Sequence, residues 1–427
     1  MTGLAEEPLG AVDTTAAGDA GAPAFSLPAA SPVRRSWLRR ALADLVFRHA
    51  VTDLPLTVIL ADGSRLGTGR LADPVLRINR PAAFFARLGS DAKLGFGEGY
   101  QTGDWEPGTG TDLADLLTVF AARLADLVPA PLQRLRPLVE RRQPTDARNT
   151  PAGARANIHR HYDLPPTLFQ AFLDQTMTYS AAMFAPGDDL AAAQRRKIDA
   201  ILDTAHVGPG TVMLEIGTGW GELAIRAARR GATVTSVTLS AEQRDLARQR
   251  TAEAGVADRV RVQFADYRSV TGDFDAIVSV EMVEAVGHRY WPTFVGTLER
   301  LLRPGGTIGL QTILMPHDRM MATRNSYTWI HKYVFPGGII PSYRALDEAL
   351  TRHTSLRIVA RHEFGQDYAR TLRLWRESFL QAWPGLLAGG FPPGFRRMWE
   401  FYLAYCEAGF RAGYLDVTQL RIIRPGR

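Results

Sequence analysis

Acids, hydroxyls and amides in this chain recur at the ends of short apolar runs, where an α/β protein places its chemistry. Residues 211–216 (TVMLEI) form one such run after Pro209-Gly210 and carry a single acid, Glu215. Gly217-Thr218-Gly219-Trp220-Gly221 follows and passes into ELAIRAARR. A buried strand that runs through a glycine-rich turn into a helix sets a ligand at the carboxyl edge of a parallel sheet. Gly217 and Gly219 permit a tight turn with close backbone approach. The spacing is not the G-x-G-x-x-G of dinucleotide sites, so no pyrophosphate is expected. Ser240, Asp266, Glu284 and Gln311 stand at or near the ends of four further apolar runs. A second dense polar set, His159, His161, Tyr162, Asp163, Tyr179 and Ser180, lies among apolar neighbours at 156–184. His159 and His161 are potential metal ligands, but no second ligand pair at matching spacing accompanies them, and no metal is expected.

Those residues need strands to carry them. Residues 232–240, 259–267, 274–287 and 307–315 read as four more strands, with helical stretches between them and Ser240 as a plausible N-cap. Strands alternating with helices make βαβ units and a parallel sheet. Right-handed crossovers then bring every strand end to one rim. Residues 356–364 and 416–425 fit a closing antiparallel pair, with helices carrying Trp375, Trp383, Trp399 and Tyr402 between them. Residues 315–342, rich in Met and aromatics, are expected to form an insertion over the rim, a lid or lipid-facing wall.

A length of 427 residues suggests two or three domains, and 46% apolar with 22% charged residues is ordinary for a globular protein. No run reaches the roughly 18 apolar residues of a membrane span, and the first residues lack a signal peptide's basic and apolar regions. The single cysteine, Cys406, excludes an internal disulfide and a cysteine metal cluster. A cytoplasmic setting follows. The net charge of +6 suits an anionic partner, yet no zinc finger, RNA-recognition signature or long basic run points to nucleic acid.

Residues 1–30 read as a disordered tail, 31–140 as a small α+β domain, 141–156 as a linker and 157–427 as the larger domain. Within the second, residues 56–71 read as a β-hairpin around Asp62-Gly63. Residues 31–50 read as a basic amphipathic helix, with Trp37, Leu38, Leu42, Leu45 and Val46 on one side among five arginines. The preferred reading packs that apolar face on its own domain and leaves the arginines to steer the protein to an anionic bilayer.

The form E-x-G-x-G-x-G at 215–221 resembles motif I of class I S-adenosylmethionine methyltransferases. A glycine turn in an unrelated α/β protein competes with that reading, and the series of strands that follows favours the methyltransferase. HYDLPPTLFQAFLDQTMTYS, LEIGTGWGELA, VTLSAEQ, DYR, SVEMVEAVG, KYVFPGGIIPS and FGQDYARTLRLW then occur in the order of the cyclopropane-fatty-acid synthase family, covering residue 157 to the end. FGEGYQTGDWE resembles the signature of that family's N-terminal lipid-binding domain. The resemblance implies a Rossmann-like class I methyltransferase fold with a seven-stranded, mostly parallel sheet, and alkylation of a double bond in an unsaturated acyl chain, usually within a phospholipid.

Carried over by position, Tyr179 and Ser180 meet the methionine end of S-adenosylmethionine beside Glu215, Gly217 and Gly219. Thr238 and Gln243 meet the ribose, and Asp266 with Tyr267 the adenine. Glu284 and Tyr368 match residues that hold a bicarbonate ion used as general base, with the backbone of Ile313 contributing. The chain departs from that pattern at Ala181, Ala285 and Gln311, where the family often has cysteine, histidine and histidine. These departures put the bicarbonate ion in question. His161 and Gln311 remain candidate catalytic groups, and Tyr162, Tyr327, Trp329 and Tyr368 candidate rings for stabilising a carbocation. A weakened or relocated base favours a 1,2-hydride shift before proton loss, and hence an exocyclic methylene over a cyclopropane. VEMVEAVGHRYWP with LQTILMPHDRMMATR is similar to the branch making 10-methylene fatty acids, precursors of tuberculostearic acid. That branch implies a separate reductase, and a homo-oligomer on the inner face of the membrane is expected. Glu284→Gln is expected to keep the cofactor and slow turnover. Cyclopropane formation, a non-catalytic lipid-binding role and methylation of another acceptor are the alternatives.

Overall fold

The computed structural model describes residues 27–33, 36–123, 143, 144, 150, 153 and 164–425. Most of the expected tail and linker, together with His159, His161, Tyr162 and Asp163, lie outside them.

The first part of the chain folds as α1 (Trp37–Val51), β1 (Thr57–Leu60), β2 (Arg65–Leu66), β3 (Val75–Ile78), α2 (Pro81–Ser90), α3 (Ala92–Thr102), β4 (Trp105–Pro107) and α4 (Leu113–Ala122). Its four strands pair in the order β2-β1-β3-β4. The expected hairpin forms because Asp62 accepts from the Ser64 N–H and hydroxyl at 2.9 and 2.6 Å while Gly63 takes φ +84°. Its second arm is only Arg65–Leu66. The reading of α1 needs correction. Phe47 and Val51 are its buried residues, whereas Trp37, Leu38, Leu42 and Leu45 are 71, 61, 54 and 66% exposed. The stripe expected to pack on the domain faces solvent.

The rest runs α5 (Pro166–Phe172), α6 (Leu190–Thr204), β5 (Val212–Ile216), α7 (Glu222–Arg229), β6 (Thr233–Thr238), α8 (Ala241–Glu253), β7 (Val260–Phe264), β8 (Phe274–Val280), α9 (Val283–Val286), α10 (Trp291–Leu301), β9 (Leu302–Leu314), α11 (His317–Thr323), α12 (Trp329–Tyr333), α13 (Tyr343–His353), β10 (Arg357–Glu363), α14 (Gly365–Ala388), α15 (Pro393–Arg411) and β11 (Asp416–Ile423). The seven strands lie in the order β10-β11-β9-β8-β5-β6-β7. β9, β8, β5, β6 and β7 are parallel, and β11 runs antiparallel to both β9 and β10. β5 and β8 are nearly continuous apolar runs because helices cover both faces of the sheet. This is a class I methyltransferase sheet.

A second correction concerns residues 274–287, read above as one strand. β8 ends at Val280, and Glu281 takes φ +50°, in the left-handed region, before the single turn of α9. The Glu281 side chain and the turn carrying Glu284 are thereby swung off the strand and over the rim. β9 also begins earlier than expected, at Leu302.

α14 and α15 pack along each other and bind the two halves of the chain into one core. Trp375, Trp399, Phe379, Phe395 and Trp105 are all essentially inaccessible there. The insertion is latched to α3: Lys332 Nζ and Tyr333 Oη reach Glu98 Oε1 at 2.7 and 3.0 Å. Trp329 is buried against Phe401, with its indole N–H on Gln101. That contact takes Trp329 away from the rim and corrects its place among the cation-facing rings. The insertion returns over α9, where the Ile339 N–H donates to the Glu284 carbonyl at 2.8 Å.

Candidate active site

Strand order reverses between β5 and β8, with β6 and β7 on one side and β9 on the other. Ligands of open α/β sheets sit in the crevice above such a switch point. Here the glycine turn forms one wall and residues 281–284 the other. Gly217, Gly219 and Gly221 take φ of +99°, +51° and +93°. A Cβ on Gly219 would point into open space, and one on Gly217 would come 3.0 Å from the Met282 side chain. The turn therefore presents bare backbone to the crevice and abuts the segment that carries Glu281.

Glu215 is buried at the end of β5, accepting from the Ser236 hydroxyl, which itself lies 2.7 Å from Thr218 Oγ1. Burial pushes its carboxyl up to about 8, against the pull of Ser236 and Lys197. A buried acid whose anion is this poorly solvated favours a cationic ligand. At the end of β6, Thr238 Oγ1 donates to Gln243 Oε1 at 2.8 Å, and Ser240 caps α8 by accepting from the Gln243 N–H at 3.2 Å. Past β7, Asp266 accepts from the Arg268 N–H at 2.9 Å and pairs with its guanidinium at 2.6 Å. The Tyr267 ring is buried edge-on to Phe294 at 5.4 Å. Glu215, Gly217, Gly219, Thr238, Gln243, Asp266 and Tyr267 thus stand along one rim.

Across the crevice, Glu281 Oε1 accepts from the Ala181 N–H and Gln311 Nε2, both at 2.9 Å, and Oε2 accepts from Tyr368 Oη at 2.8 Å. Gln311 is held in turn by Gln419, whose Nε2 donates to its Oε1 at 3.1 Å. Glu284 faces elsewhere. Its Oε1 accepts from the Ile313 N–H at 2.5 Å and Thr312 Oγ1 at 2.9 Å, while Oε2 is buried without a partner. Burial, and then the Glu281 charge, push the Glu284 carboxyl up to about 8. Burial also raises Glu281, but three donors and the nearby Lys197 cation work for its anion. Two acids this close do not both ionise freely. The one with three donors carries the charge, and the one with a bare oxygen keeps the proton.

Lys197 reaches this cluster from α6, its ammonium donating to Ser180 Oγ at 2.7 Å. Burial pulls it down to about 8 against the Glu281, Asp174 and Glu215 charges, which leaves it a cation at neutral pH. Tyr179 Oη lies 2.8 Å from Tyr402 Oη, and its ring packs on Trp375 at 5.3 Å. Tyr368 packs on Phe410 at 4.6 Å and edge-on to Trp375 at 6.2 Å. Burial, and then Glu281, hold the Tyr368 phenol well above its usual range, so it stays a donor.

Of the residues expected to be catalytic, Tyr368, Gln311 and Glu284 are at the rim, but Tyr368 and Gln311 bind Glu281 and not a site shared with Glu284. His161 and Tyr162 lie outside the described residues. Glu281, Lys197 and Gln419 were missed. A signal for Glu281 existed, since it and Glu284 are the two acids of the otherwise apolar SVEMVEAVG. Lys197 falls on the inward stripe of α6 with Ala193 and Ile201, four residues either side, where an unpaired lysine does not belong.

Residues 150–420 match the mycolic acid cyclopropane synthetase family. The chain belongs to this family. Among curated relatives, it is 50% identical over 410 residues to the tuberculostearic acid methyltransferase UfaA1 of Mycobacterium tuberculosis, covering 93% of this chain and 95% of that one. It is 34% identical over 359 residues to the cyclopropane-fatty-acyl-phospholipid synthase of Escherichia coli K12, covering 81 and 86%. The crystal structure of the mycolic acid cyclopropane synthase CmaA1 with SAH and CTAB superposes with a TM-score of 0.58 at 31% identity, over 63% of this chain and 97% of that one. The family's cofactor is thus S-adenosylmethionine, and the rim of this family member fits it: bare glycine backbone, a buried acid suited to a cation, and the Thr238–Gln243 pair in line along the strand ends.

Proposed function

We propose that the protein is a C-methyltransferase that alkylates the double bond of an unsaturated acyl chain, carried on a phospholipid, to give a 10-methylene branch. The observation that carries this reading is the hydrogen-bonded carboxylate of Glu281, held by Tyr368 with the Trp375 and Tyr179 rings packed behind that phenol, and set across the crevice from the glycine turn. Methyl transfer to a heteroatom needs no such chamber, whereas a hydrocarbon cation needs aromatic faces, exclusion of water and a base. The 50% identity to a tuberculostearic acid methyltransferase supports the methylene branch.

Bound at residues 215–221, S-adenosylmethionine supplies a methyl group made electrophilic by its sulfonium. The protein's own residues do the rest. Glu215 balances the ligand's positive charge, Thr238 and Gln243 hold its sugar, and Asp266 and Tyr267 flank its base. The packed rings of Tyr179, Tyr368 and Trp375 form an apolar backing behind Glu281 that keeps water from the alkylated chain.

No helix among the described residues is long and apolar enough to cross a membrane. The exposed stripe of Trp37, Leu38, Leu42 and Leu45, beside exposed Arg39 and Arg40, suits a helix lying in the headgroup region of anionic lipid. A reductase must follow if the methylene is to become a saturated branch.

Expression in a host with oleoyl phospholipids and no branched fatty acids tests the reading. Gas chromatography–mass spectrometry with double-bond derivatisation then locates the added carbon, and an exocyclic methylene is expected. A cyclopropane overturns the product assignment, and no added carbon overturns the acceptor.

A further inference from the structure

The family resemblance implies a bicarbonate ion held between Glu284 and Tyr368, and this chain does not fit one. The Tyr368 hydroxyl, the Ala181 N–H and the Gln311 amide all point at Glu281, and the Ile313 N–H points at Glu284. A second anion at that place would lie against two carboxyls, with each of these donors already committed. Of the three positions where the chain departs from the family pattern, Gln311 binds Glu281 through its side chain and Ala181 through its backbone N–H.

We infer that the Glu281 carboxylate is the resident general base of this enzyme and takes the place of a bicarbonate ion. The inference deepens the acyl-chain reading above and rests on it.

Backbone conformation supports the assignment independently. Glu281 sits at φ +50°, one of three non-glycine residues with positive φ among the described residues. A side chain in that region costs roughly 1–2 kcal/mol. Such strain persists where the surroundings over-determine it, and it gathers at working sites. Here the Glu281 N–H donates to the Gln311 carbonyl at 2.8 Å while its carboxylate takes three donors, so both ends of the residue are fixed. The twist is what swings the carboxylate off β8 and into the crevice. It also leaves Met282 against Gly217, so the base stands one residue from the cofactor turn.

The step balances without any outside reagent. Once the new methyl is joined to one carbon of the former double bond, the positive charge lies on the neighbouring carbon. A hydride moves with its electron pair from the methyl-bearing carbon to that neighbour, and the charge moves the opposite way. Glu281 then takes a proton from the methyl, the C–H pair becomes the exocyclic C=C bond, and the proton leaves on the Glu281 carboxyl. Glu284, kept neutral beside it, cannot compete for that proton. Lys197 keeps Glu281 ionised between turnovers.

The test uses the full chain, S-adenosylmethionine and vesicles of dioleoylphosphatidylglycerol in buffer purged of carbon dioxide. Product formation by wild type with bicarbonate present is scored first. Its absence overturns the acyl-chain reading and this inference together. Given product, wild type is expected to run at the same rate with and without bicarbonate. A rate that falls in purged buffer and returns with bicarbonate overturns this inference alone. Glu281→Gly is expected to lose about 10²–10⁴-fold in kcat, the usual range for a lost general base. It should keep its affinity for S-adenosylmethionine and recover part of the rate with added formate or bicarbonate, which a merely structural role would not permit. Glu281→Gln with wild-type kcat also overturns the inference. The wild-type comparison decides even if Glu281→Gly fails to fold.

Discussion

Replacing Tyr368 by phenylalanine removes one hydroxyl from this site and keeps the ring that packs on Phe410 and Trp375. The lost group is the donor to Glu281 Oε2, one of three hydrogen bonds to that carboxylate. A hydrogen bond to a charged group is worth about 1.5–3 kcal/mol, and about 1.4 kcal/mol moves a pKa by one unit. Because the hydroxyl favours the ionised form, its loss raises the Glu281 pKa by what that bond contributed to the anion. Activity needs ionised Glu281 and is lost as pH falls through that pKa. The acid limb of kcat therefore moves to higher pH by the same amount. Above the limb the variant should match wild type or exceed it, since a base of higher pKa accepts a proton more readily. The other charged groups that act on Glu281, namely Lys197 from α6 and Glu284 from α9, are the same in both proteins, as are Glu215 and Asp174, which act on Lys197. The Tyr368 phenol, held far above its usual range, adds no titration of its own to the wild-type curve. The assay is kcat against pH at saturating S-adenosylmethionine, on wild type and variant side by side. A variant uniformly slow at every pH, with its acid limb unmoved, would refute the coupling of Tyr368 to Glu281. So would a variant that gains a need for bicarbonate.

Four further outcomes follow from the same geometry. Glu284→Gln reproduces the neutral form that burial and Glu281 already impose, so kcat at neutral pH should stay within about threefold of wild type, and any loss of rate near pH 8 in wild type should disappear. That differs from the slower turnover expected from sequence alone, and a hundredfold drop would restore Glu284 as a catalytic group. Glu215→Ala removes the buried partner of a cationic ligand, which should weaken S-adenosylmethionine by about 2–5 kcal/mol in calorimetry; equal affinity sinks the cofactor assignment. Because burial holds free Glu215 up to about 8, wild-type affinity should also fall as pH drops below that value, as the carboxyl must shed a proton to pair with the ligand. Leu42→Glu with Leu45→Glu should weaken sedimentation with anionic vesicles and leave S-adenosylmethionine binding unchanged; unaltered sedimentation would remove α1 from the membrane account.

The cofactor rim was legible because its signals are local. A strand, a glycine turn and a helix are contiguous in sequence, and each later strand delivers its last residue to the same edge by a handedness rule. Glu215, Thr238, Gln243 and Asp266 needed only that rule and the motif. The packing of α1 was not legible, because an apolar stripe beside arginines is written the same way whether it faces a core or a bilayer. Trp329 was misplaced for a similar reason, since an aromatic residue in a rim insertion gives no hint that α3 offers it Gly97, where a Cβ would lie 2.5 Å from its ring.

Glu281 is the instructive case. Read as part of a continuous strand, residues 280–287 place Glu281 on the ladder beside Val280 and make Glu284 the natural acid at the strand's end. One left-handed residue changes that, because it ends the strand at Val280 and turns the next carboxylate toward Tyr368. Nothing in the local sequence favours the left-handed region there, since glutamate pays for it where glycine would not. What holds it is distant in sequence: Ala181, Gln311 and Tyr368, with Lys197 beneath. Three of those four stand out separately in the sequence, two as departures from a family pattern and one as a match to it. They share one cause. A bound ion needs donors that reach outward to it, whereas a side chain swung in from β8 takes the backbone N–H of residue 181 and needs an amide at 311 that donates inward. Without the Glu281 carboxyl, the Gln311 amide, buried and turned by Gln419, would lose the acceptor in front of it. The altered positions are therefore the mould of a built-in base and not the remains of a lost one.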